Sequence, residues 1–212
     1  GRSIARRRAK KGWRVRVASR HPNEALFVKT FCTVGQVEPV FCNIRDDASV
    51  AEVLDGADAV VNCVGILIED KNNTFSAVQY SGAERIARLS KELGIKSLVH
   101  ISAIGADENS TSIYSTTKAK GENAVISNFP SAIILRPSIV FGTEDQFFNR
   151  FAKMATIAPL LPLVGADTHF QPVYVDDVAK AAEFALLGSV KKGTYELGCL
   201  LYTSPSPRDR IA

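Results

Sequence analysis

The chain has 212 residues, of which 46% are hydrophobic and 23% charged, and this balance excludes a disordered, collagen-like or low-complexity protein. Its length suits one domain with a sizeable core and leaves little room for a second. The charge is uneven, because residues 1–20 contain nine of the 26 Lys and Arg and no acid, whereas the remainder has 17 basic and 22 acidic groups. Such a basic patch attracts the phosphate of a nucleotide, a nucleic acid or a lipid head group, and composition alone does not choose among them.

The cysteines and the apolar runs exclude further classes. Cys32, Cys42, Cys63 and Cys199 show neither CxxC spacing nor histidine partners, so we expect no metal site and no disulfide framework, and the chain suits a reducing compartment. The longest apolar run, 60–68, is too short for a membrane-spanning helix of about 20 residues, and we therefore expect no membrane span.

Short β-branched runs alternate along the chain with segments of helical periodicity. The predicted helices are 1–12, 47–54, 75–89, 114–125 and 178–187. The predicted strands are 13–19, 37–42, 57–64, 97–102, 132–136 and 193–198. Because strand and helix alternate, the pattern predicts an α/β fold of the doubly wound, Rossmann type, in which helices cover both faces of a parallel sheet.

Both ends of the chain depart from this pattern. In a nucleotide-binding βαβ unit, a strand and a glycine-rich turn precede a helix like that predicted at 1–12, so we expect a sheet with a gap where such a strand belongs. Residues 199–212 contain Ser-Pro repeats that fit no element. We therefore expect one Rossmann-type domain over 1–198, without most of a C-terminal substrate region, and a non-native or disordered tail over 199–212.

Tyr114 and Lys118 are the strongest candidates for chemistry. They are four residues apart at the start of a predicted helix, so the phenol and the ammonium share one helix face. A lysine there lowers the pKa of the phenol, which makes the tyrosine a usable general acid or base, and it also holds ribose hydroxyls. The same spacing occurs on exposed helix faces, but here the pair follows a strand ending in Ser102, on the side where open α/β sheets bind ligands.

Several residues at strand ends are candidates for binding a dinucleotide. Gly1 lies where a glycine-rich turn would meet a helix N-terminus and a pyrophosphate. Arg20 follows the first predicted strand, where an acid binds the ribose of NAD and an Arg accommodates the 2′-phosphate of NADP; no acid precedes it, so a phosphate is favoured over a solvated surface Arg. Asn43 and Ile44 could flank an adenine ring, and 64–65 offers a close backbone approach, with a simple turn as the alternative at both places.

Seven stretches, taken together, carry a family resemblance. They are Gly1-Arg2 with Ala9-Lys-Lys-Gly-Trp-Arg-Val-Arg-Val17, Ala57-Asp-Ala-Val-Val-Asn-Cys-Val-Gly-Ile-Leu67, Val99-His-Ile-Ser-Ala-Ile-Gly-Ala-Asp107, Tyr114 with Lys118, Leu135-Arg-Pro-Ser-Ile-Val-Phe-Gly142, Phe147-Phe-Asn-Arg-Phe151 and Phe170-Gln-Pro-Val-Tyr-Val-Asp-Asp177. Over 1–198 the chain resembles the atypical extended short-chain dehydrogenase/reductases, which are epimerase/dehydratase-like. Within them it is similar to the group of the NADPH-binding accessory subunit of respiratory complex I and its bacterial relatives.

The resemblance implies roles for the site residues. On the adenosine side, Gly1 would be the third glycine of the dinucleotide fingerprint, Arg20 would meet the 2′-phosphate, Asn43 and Ile44 the adenine, and Val64 and Gly65 the ribose. On the nicotinamide side, Tyr114 and Lys118 would lie beside the ribose, and Pro137 and Ser138 near the amide.

The resemblance also implies a function, with an alternative. The chain would bind NADP(H) in preference to NAD(H) and act as a cofactor-holding module of a membrane-associated respiratory NADH:quinone oxidoreductase, or in its assembly. The alternative is an active NAD(P)-dependent oxidoreductase or sugar-nucleotide epimerase, with Tyr114 as acid/base, Lys118 beside it and Ser102 orienting the substrate carbonyl. Catalysis stays open, because Ala103 is the alternative residue in the register of that serine.

Partners and location follow from the same resemblance. It implies the cytoplasm of a bacterium or the matrix side of mitochondria, with peripheral attachment to the inner membrane as an open alternative. We expect no nucleic acid partner, because no aromatic stacking platform accompanies the basic N-terminal helix.

Overall fold

The computed structural model of the chain describes residues 1–144 and 171–198. The helices are α1 (Arg2–Lys10), α2 (Asp47–Leu54), α3 (Ser81–Glu92), α4 (Ile113–Asn128) and α5 (Val175–Leu186). The strands are β1 (Val15–Ser19), β2 (Val37–Phe41), β3 (Ala59–Asn62), β4 (Ser97–Ile101), β5 (Ile133–Pro137), β6 (Val140–Phe141), β7 (Val173–Tyr174) and β8 (Gly193–Leu197).

Every predicted strand and helix within the described residues is present; the helix at 47–54 has the predicted ends, and the other elements differ from the prediction at one end or both. The sequence prediction missed 3₁₀ turns over Pro22–Phe31, a π-helical turn over Ser76–Tyr80 that leads into α3, and the short pair β6 and β7. The predicted tail at 199–212 and the motif residues 147–151 lie outside the described residues.

The strands form parallel ladders between two layers of helices. β3, β4, β5 and β8 pair in that order, and β1 pairs with β2. Successive residues of β4 enter different cores: Leu98 packs in a core that α2, α3 and α4 share, whereas Val99 packs in a core with α1 and α5. This alternation confirms the doubly wound, Rossmann-type fold, because only strands covered on both faces are apolar on both faces.

Local signals explain where the helices begin and end. The carboxylate of Asp46 accepts a hydrogen bond from the Ala48 amide at 3.2 Å and caps α2, and Gly56 takes the left-handed conformation (φ 64°) that ends the following turn. Ser112 caps α4 by accepting from the Ser115 amide at 3.5 Å. The Ser112 cap therefore fixes the start of α4, the helix that carries Tyr114 and Lys118.

The expected gap in the sheet is present between β1 and β3. Among the described residues no strand pairs with both of these edges, and the two ladders are separate. A cavity of about 1180 Å³ lies between them and is lined by both strands from end to end. α1 closes one side of this cavity, and a buried ion pair between Arg8 and Glu183 (3.1 Å) ties α1 to α5.

Candidate functional site

Lys118 places a buried ammonium at the carboxyl ends of β3 and β4. Its side chain, only 5% exposed, reaches from α4 to the Ile101 carbonyl, with 3.5 Å between Nζ and the oxygen. A Cβ on Gly65 would lie 3.2 Å from the same Nζ, so a larger residue at this turn after β3 would require the lysine to shift. Burial lowers the pKa of Lys118, while Glu122 and Cys63 oppose that shift.

Tyr114 lies one helical turn before Lys118, in a half-buried position. Its ring meets the edge of the Phe75 ring, with centroids 5.9 Å apart and planes at 85°. Burial raises the pKa of the phenol. The sequence-based expectation of a lowered pKa is therefore wrong in direction: the phenol is held protonated, as a hydrogen-bond donor, at neutral pH.

A hydrogen-bond relay shapes the turn after β3. Asn62 lies directly opposite His100 in the β3–β4 register, and its amide donates to the imidazole Nδ1 at 3.0 Å. The side-chain oxygen of Asn62, Oδ1, accepts a hydrogen bond from the Val64 backbone amide, also at 3.0 Å. This bond fixes the backbone that leads to Gly65. The sequence prediction missed this relay, because the pairing of the two residues is a cross-strand contact.

His100 is neutral in this relay. Burial first, and the nearby Lys118 ammonium second, lower the pKa of His100 to about 3. Since Nδ1 accepts from Asn62, the proton of the neutral ring lies on Nε2. Nδ1 therefore has a partner, whereas the buried Nε2 has none among the described residues.

Ser102 and the end of β5 complete this side of the site. The Ser102 side chain is on the same strand face as His100, two residues on, and its hydroxyl is buried without a hydrogen-bond partner among the described residues. Pro137 is buried and its carbonyl accepts from the Ile104 amide at 3.1 Å, while the Ser138 amide donates to Leu197 at 2.8 Å. The ends of β4, β5 and β8 are therefore tied together beside α4.

The residues predicted for the adenosine side meet at the large cavity. Gly1, Arg20, Ile44 and Val64 all line it. Arg20 is exposed at the end of β1, and its guanidinium has no hydrogen bond or ion pair within residues 1–144 and 171–198. Ile44, by contrast, is buried in the core, where it packs against Gly82 of α3.

Asn43 is used structurally rather than presented to the cavity. Its side-chain oxygen accepts from the Arg45 amide at 3.2 Å, and its own amide donates to Ser49 at 2.9 Å. The structure therefore gathers the predicted residues into two groups: Gly1, Arg20, Ile44 and Val64 at the cavity, and Tyr114, Lys118, Ser102, Pro137 and Ser138 beside α4, with Gly65 in contact with Lys118.

These features fit a bound dinucleotide. A buried ammonium lies against a glycine backbone, and the orphaned hydroxyl of Ser102 and Nε2–H of His100 are polar atoms that a ligand or water can satisfy. Among the described residues, no group of three or more His, Cys, Asp or Glu side chains could hold a metal ion. Within the same residues, no helix has the length and apolar character needed to cross a bilayer.

Comparisons with known proteins give the same fold and a family. A sequence model of the RmlD substrate binding domain matches residues 1–204. The chain is 37% identical over 203 residues to the mitochondrial NADH dehydrogenase (ubiquinone) 1 alpha subcomplex subunit 9 of Arabidopsis thaliana, a match that covers 93% of this chain and 50% of that protein. The chain spans about half the length of the curated relatives it matches.

Two solved structures show the fold at low sequence identity. The NAD complex of the Bordetella bronchiseptica enzyme WbmG has a TM-score of 0.75 at 14% identity, over 93% of this chain and 68% of that one. The NADP complex of a Bacillus anthracis dTDP-4-dehydrorhamnose reductase has a TM-score of 0.67 at 20% identity, over 88% of this chain and 74% of that one. The first protein binds NAD and the second NADP, so the fold alone does not select between the two cofactors.

Proposed function

Because this chain belongs to the family of the RmlD substrate binding domain, and its site has a buried ammonium against a glycine turn, we propose that it binds NADP(H) across the carboxyl ends of its parallel strands. The observation that carries the proposal is the buried Lys118 ammonium against the glycine turn at Gly65, a hydrogen-bond donor beside a backbone that a ligand can approach closely. The preference for the phosphorylated cofactor rests on Arg20, which is exposed at the end of β1 and has no protein partner among the described residues.

We assign one role in cofactor binding to each of these residues. Arg20 binds the 2′-phosphate, Gly1 and the N-terminus of α1 face the pyrophosphate, and the Asn43 and Ile44 backbone borders the adenine. Val64 and Gly65, held by Asn62, border the adenosine ribose. Lys118 donates to the nicotinamide ribose, and Pro137 and Ser138 border the nicotinamide amide.

The cofactor, when bound, would supply a nicotinamide able to give or take hydride. The chain's own groups, however, favour binding of the cofactor over fast catalysis. A general acid or base works best when its pKa lies near the operating pH, and burial moves the pKa of Tyr114 away from neutrality. Ser102 has a free hydroxyl to offer a substrate carbonyl, yet Ala103, next to it, has none. We therefore infer that the chain is a cofactor-holding module. In this module the Tyr114 phenol stays protonated and does not act as a general base.

The assembly role rests on the relatives. The Arabidopsis relative is named as a subunit of a mitochondrial NADH dehydrogenase. We propose that this chain likewise contributes to a respiratory NADH:quinone oxidoreductase, on the matrix side in a mitochondrion or on the cytoplasmic side in a bacterium. An active reductase or epimerase with Ser102, Tyr114 and Lys118 is the second candidate, favoured by the orphaned Ser102 hydroxyl.

Calorimetric titration of NADPH and NADH into Arg20→Ala tests the cofactor preference. Loss of charge-assisted hydrogen bonds of about 1.5–3 kcal/mol should weaken NADPH binding by about 10- to 100-fold and leave NADH within a factor of two or so. Arg14→Ala is the matched control, because it removes the same charge at the opposite end of the exposed face of β1. Equal losses for both cofactors would contradict the 2′-phosphate role.

A second titration separates holding from catalysis. Tyr114→Phe removes only the phenolic hydroxyl, and in a cofactor-holding module NADPH affinity stays nearly intact. An accompanying oxidoreductase activity that Tyr114→Phe abolishes would favour the second candidate instead.

A further inference from the structure

Glu122 is a buried carboxylate on α4 to which the proposed function gives no role. It lies one helical turn after Lys118, as Lys118 lies one turn after Tyr114, so the three residues share one face of the helix. The Glu122 side chain is only 4% exposed. A carboxylate is almost never buried to this extent unless a cation pairs with it, so the partners of Glu122 indicate its role.

Arg136 of β5 is the first partner of Glu122. Its guanidinium donates three hydrogen bonds to the two carboxylate oxygens, from Nε at 3.0 and 3.1 Å and from Nη2 at 2.7 Å. In this forked geometry a guanidinium holds a carboxylate in one orientation. The pair therefore ties α4 to the end of β5.

The same arginine also contacts β8. Arg136 lies directly opposite Glu196 in the register of β5 and β8, with 3.6 Å between Nη1 and the carboxylate oxygen. Glu196 is 61% exposed, so the two acids that share this arginine differ mainly in their contact with water. Glu196 is thus a matched control for Glu122, because its loss removes the same charge from the same partner.

Lys118 is the second group on which Glu122 acts. Both side chains are buried on α4. Burial lowers the pKa of Lys118, and the Glu122 carboxylate, ahead of the Cys63 thiol, opposes that shift. The other titratable groups beside this ammonium are His100, which is neutral, and Tyr114, which is protonated. Glu122 is therefore the only carboxylate of the set.

Both contacts of Glu122 lead to the nicotinamide half of the proposed cofactor site. Arg136 directly precedes Pro137 and Ser138, the two residues that we assign to the nicotinamide amide. Lys118 is the residue that we assign to the nicotinamide ribose. Glu122 thus connects the two sides of this half. Among the described residues it has no hydrogen bond or ion pair with a residue assigned to the adenosine half.

We propose that Glu122 is a positioning residue for the nicotinamide half of the bound cofactor, because it keeps the Lys118 ammonium charged and, through Arg136, keeps α4 in place beside the end of β5. The inference rests on the proposed function, since the ribose is the ligand that Lys118 binds there. Glu122 acts through its two partners and does not itself touch the cofactor. It therefore differs in a measurable way from an ion pair that only stabilises the fold.

The test titrates NADPH and its two halves, nicotinamide mononucleotide and 2′,5′-ADP, into the full chain and into Glu122→Gln by calorimetry. Glutamine keeps the shape of the side chain and removes its charge, while Arg136 keeps Glu196 as a partner. Loss of the charge-assisted hydrogen bond from Lys118 should weaken NADPH and nicotinamide mononucleotide by about tenfold or more. Binding of 2′,5′-ADP should stay within a factor of about two, because distant sites respond independently.

Two control variants separate this role from a contribution to stability. Glu196→Gln removes the exposed acid from Arg136 and should leave all three affinities as in the parent chain. Glu122→Gln combined with Arg136→Gln removes both charges of the buried pair, so its Tm should exceed that of Arg136→Gln, which leaves the carboxylate buried alone. The double variant should nevertheless bind nicotinamide mononucleotide as weakly as Glu122→Gln does.

A measurement without cofactor reads the effect on Lys118 directly. The Cε resonance in protein labelled with carbon-13 lysine reports the pKa of Lys118. This pKa should be lower in Glu122→Gln than in the parent chain and unchanged in Glu196→Gln. The sign follows because a nearby carboxylate favours the ammonium form, and its removal favours the neutral amine.

Three results would overturn the inference. These are the same Lys118 pKa in Glu122→Gln and in the parent chain, equal losses of 2′,5′-ADP and nicotinamide mononucleotide affinity in Glu122→Gln, and recovery of nicotinamide mononucleotide affinity together with Tm in the double variant. A parent chain that binds neither NADPH nor its halves, with the pKa of Lys118 lowered in Glu122→Gln, would instead overturn the proposed function and support the action of Glu122 on Lys118.

Discussion

Gly121 of α4 is the position where adding one methyl group tests the geometry of the site most directly. A Cβ there would lie 3.2 Å from the Gln79 carbonyl carbon and closer still to its oxygen, and this neighbour is backbone of the π-helical turn before α3. Alanine is favoured over glycine inside a helix by about 1 kcal/mol. Overpacking against a fixed neighbour costs about 1–3 kcal/mol, occasionally more, so the clash should win. We expect Gly121→Ala to lose up to about 2 kcal/mol of unfolding free energy.

Gly82→Ala is the matched comparison. Gly82 is also helical, but its added Cβ would meet the Ile44 side chain at 2.9 Å, and the end of that side chain can rotate away. Thermal unfolding should place the Tm of Gly121→Ala several degrees below that of Gly82→Ala, at about 2–4 °C per kcal/mol. NADPH affinity should fall in the first variant as well, because α4 carries Lys118. A Gly121→Ala protein as stable as Gly82→Ala would refute the close packing of α4 on this turn.

Two further substitutions test buried ionisable groups. The pKa of His100 is about 3 in the folded chain and near 6.5 when unfolded, so the unfolded state takes up the proton first and stability falls as the pH drops below 6.5, by up to about 1.4 kcal/mol per unit. In urea unfolding at pH 7 and pH 5, His100→Gln should lose this part of the slope and the exposed His21→Gln should keep it; equal slopes would count against the buried neutral imidazole. Arg136→Met leaves the Glu122 carboxylate, 4% exposed, without its partner at 2.7 Å, and should cost about 3–5 kcal/mol. Lys96→Met breaks an exposed pair and should cost less than about 1 kcal/mol, so similar losses in both would contradict the buried ion pair.

The strands could be predicted because a strand that helices cover on both faces is apolar at successive residues. The runs at 57–64 and 97–102 are apolar on both faces, and β3 and β4 do lie between two helical layers. The 3₁₀ turns at Pro22–Phe31 were missed for the opposite reason. Only Val28 is buried there, so the segment has no apolar face whose period could be recognised.

In the candidate site, too, the sequence predicted the features that depend on local geometry and missed those that depend on contacts between distant residues. The four-residue spacing of Tyr114 and Lys118 predicted their common helix, since that depends on local geometry alone. It could not give the direction of the Tyr114 pKa shift, which depends on burial beside Phe75, a residue 39 positions earlier. The Asn62–His100 hydrogen bond was out of reach for the same reason, because one sequence does not state which residues of two strands lie opposite each other.

The cavity between β1 and β3 separates the two ends of the proposed cofactor site. Tyr114, Lys118 and Pro137 stand on or beside the continuous four-stranded ladder, whereas Arg20 follows β1, which belongs to the other ladder. Ladder hydrogen bonds fix the spacing of strands, and none among the described residues joins β1 to β3. The distance from Arg20 to Lys118 is therefore held by helix packing across the cavity between β1 and β3.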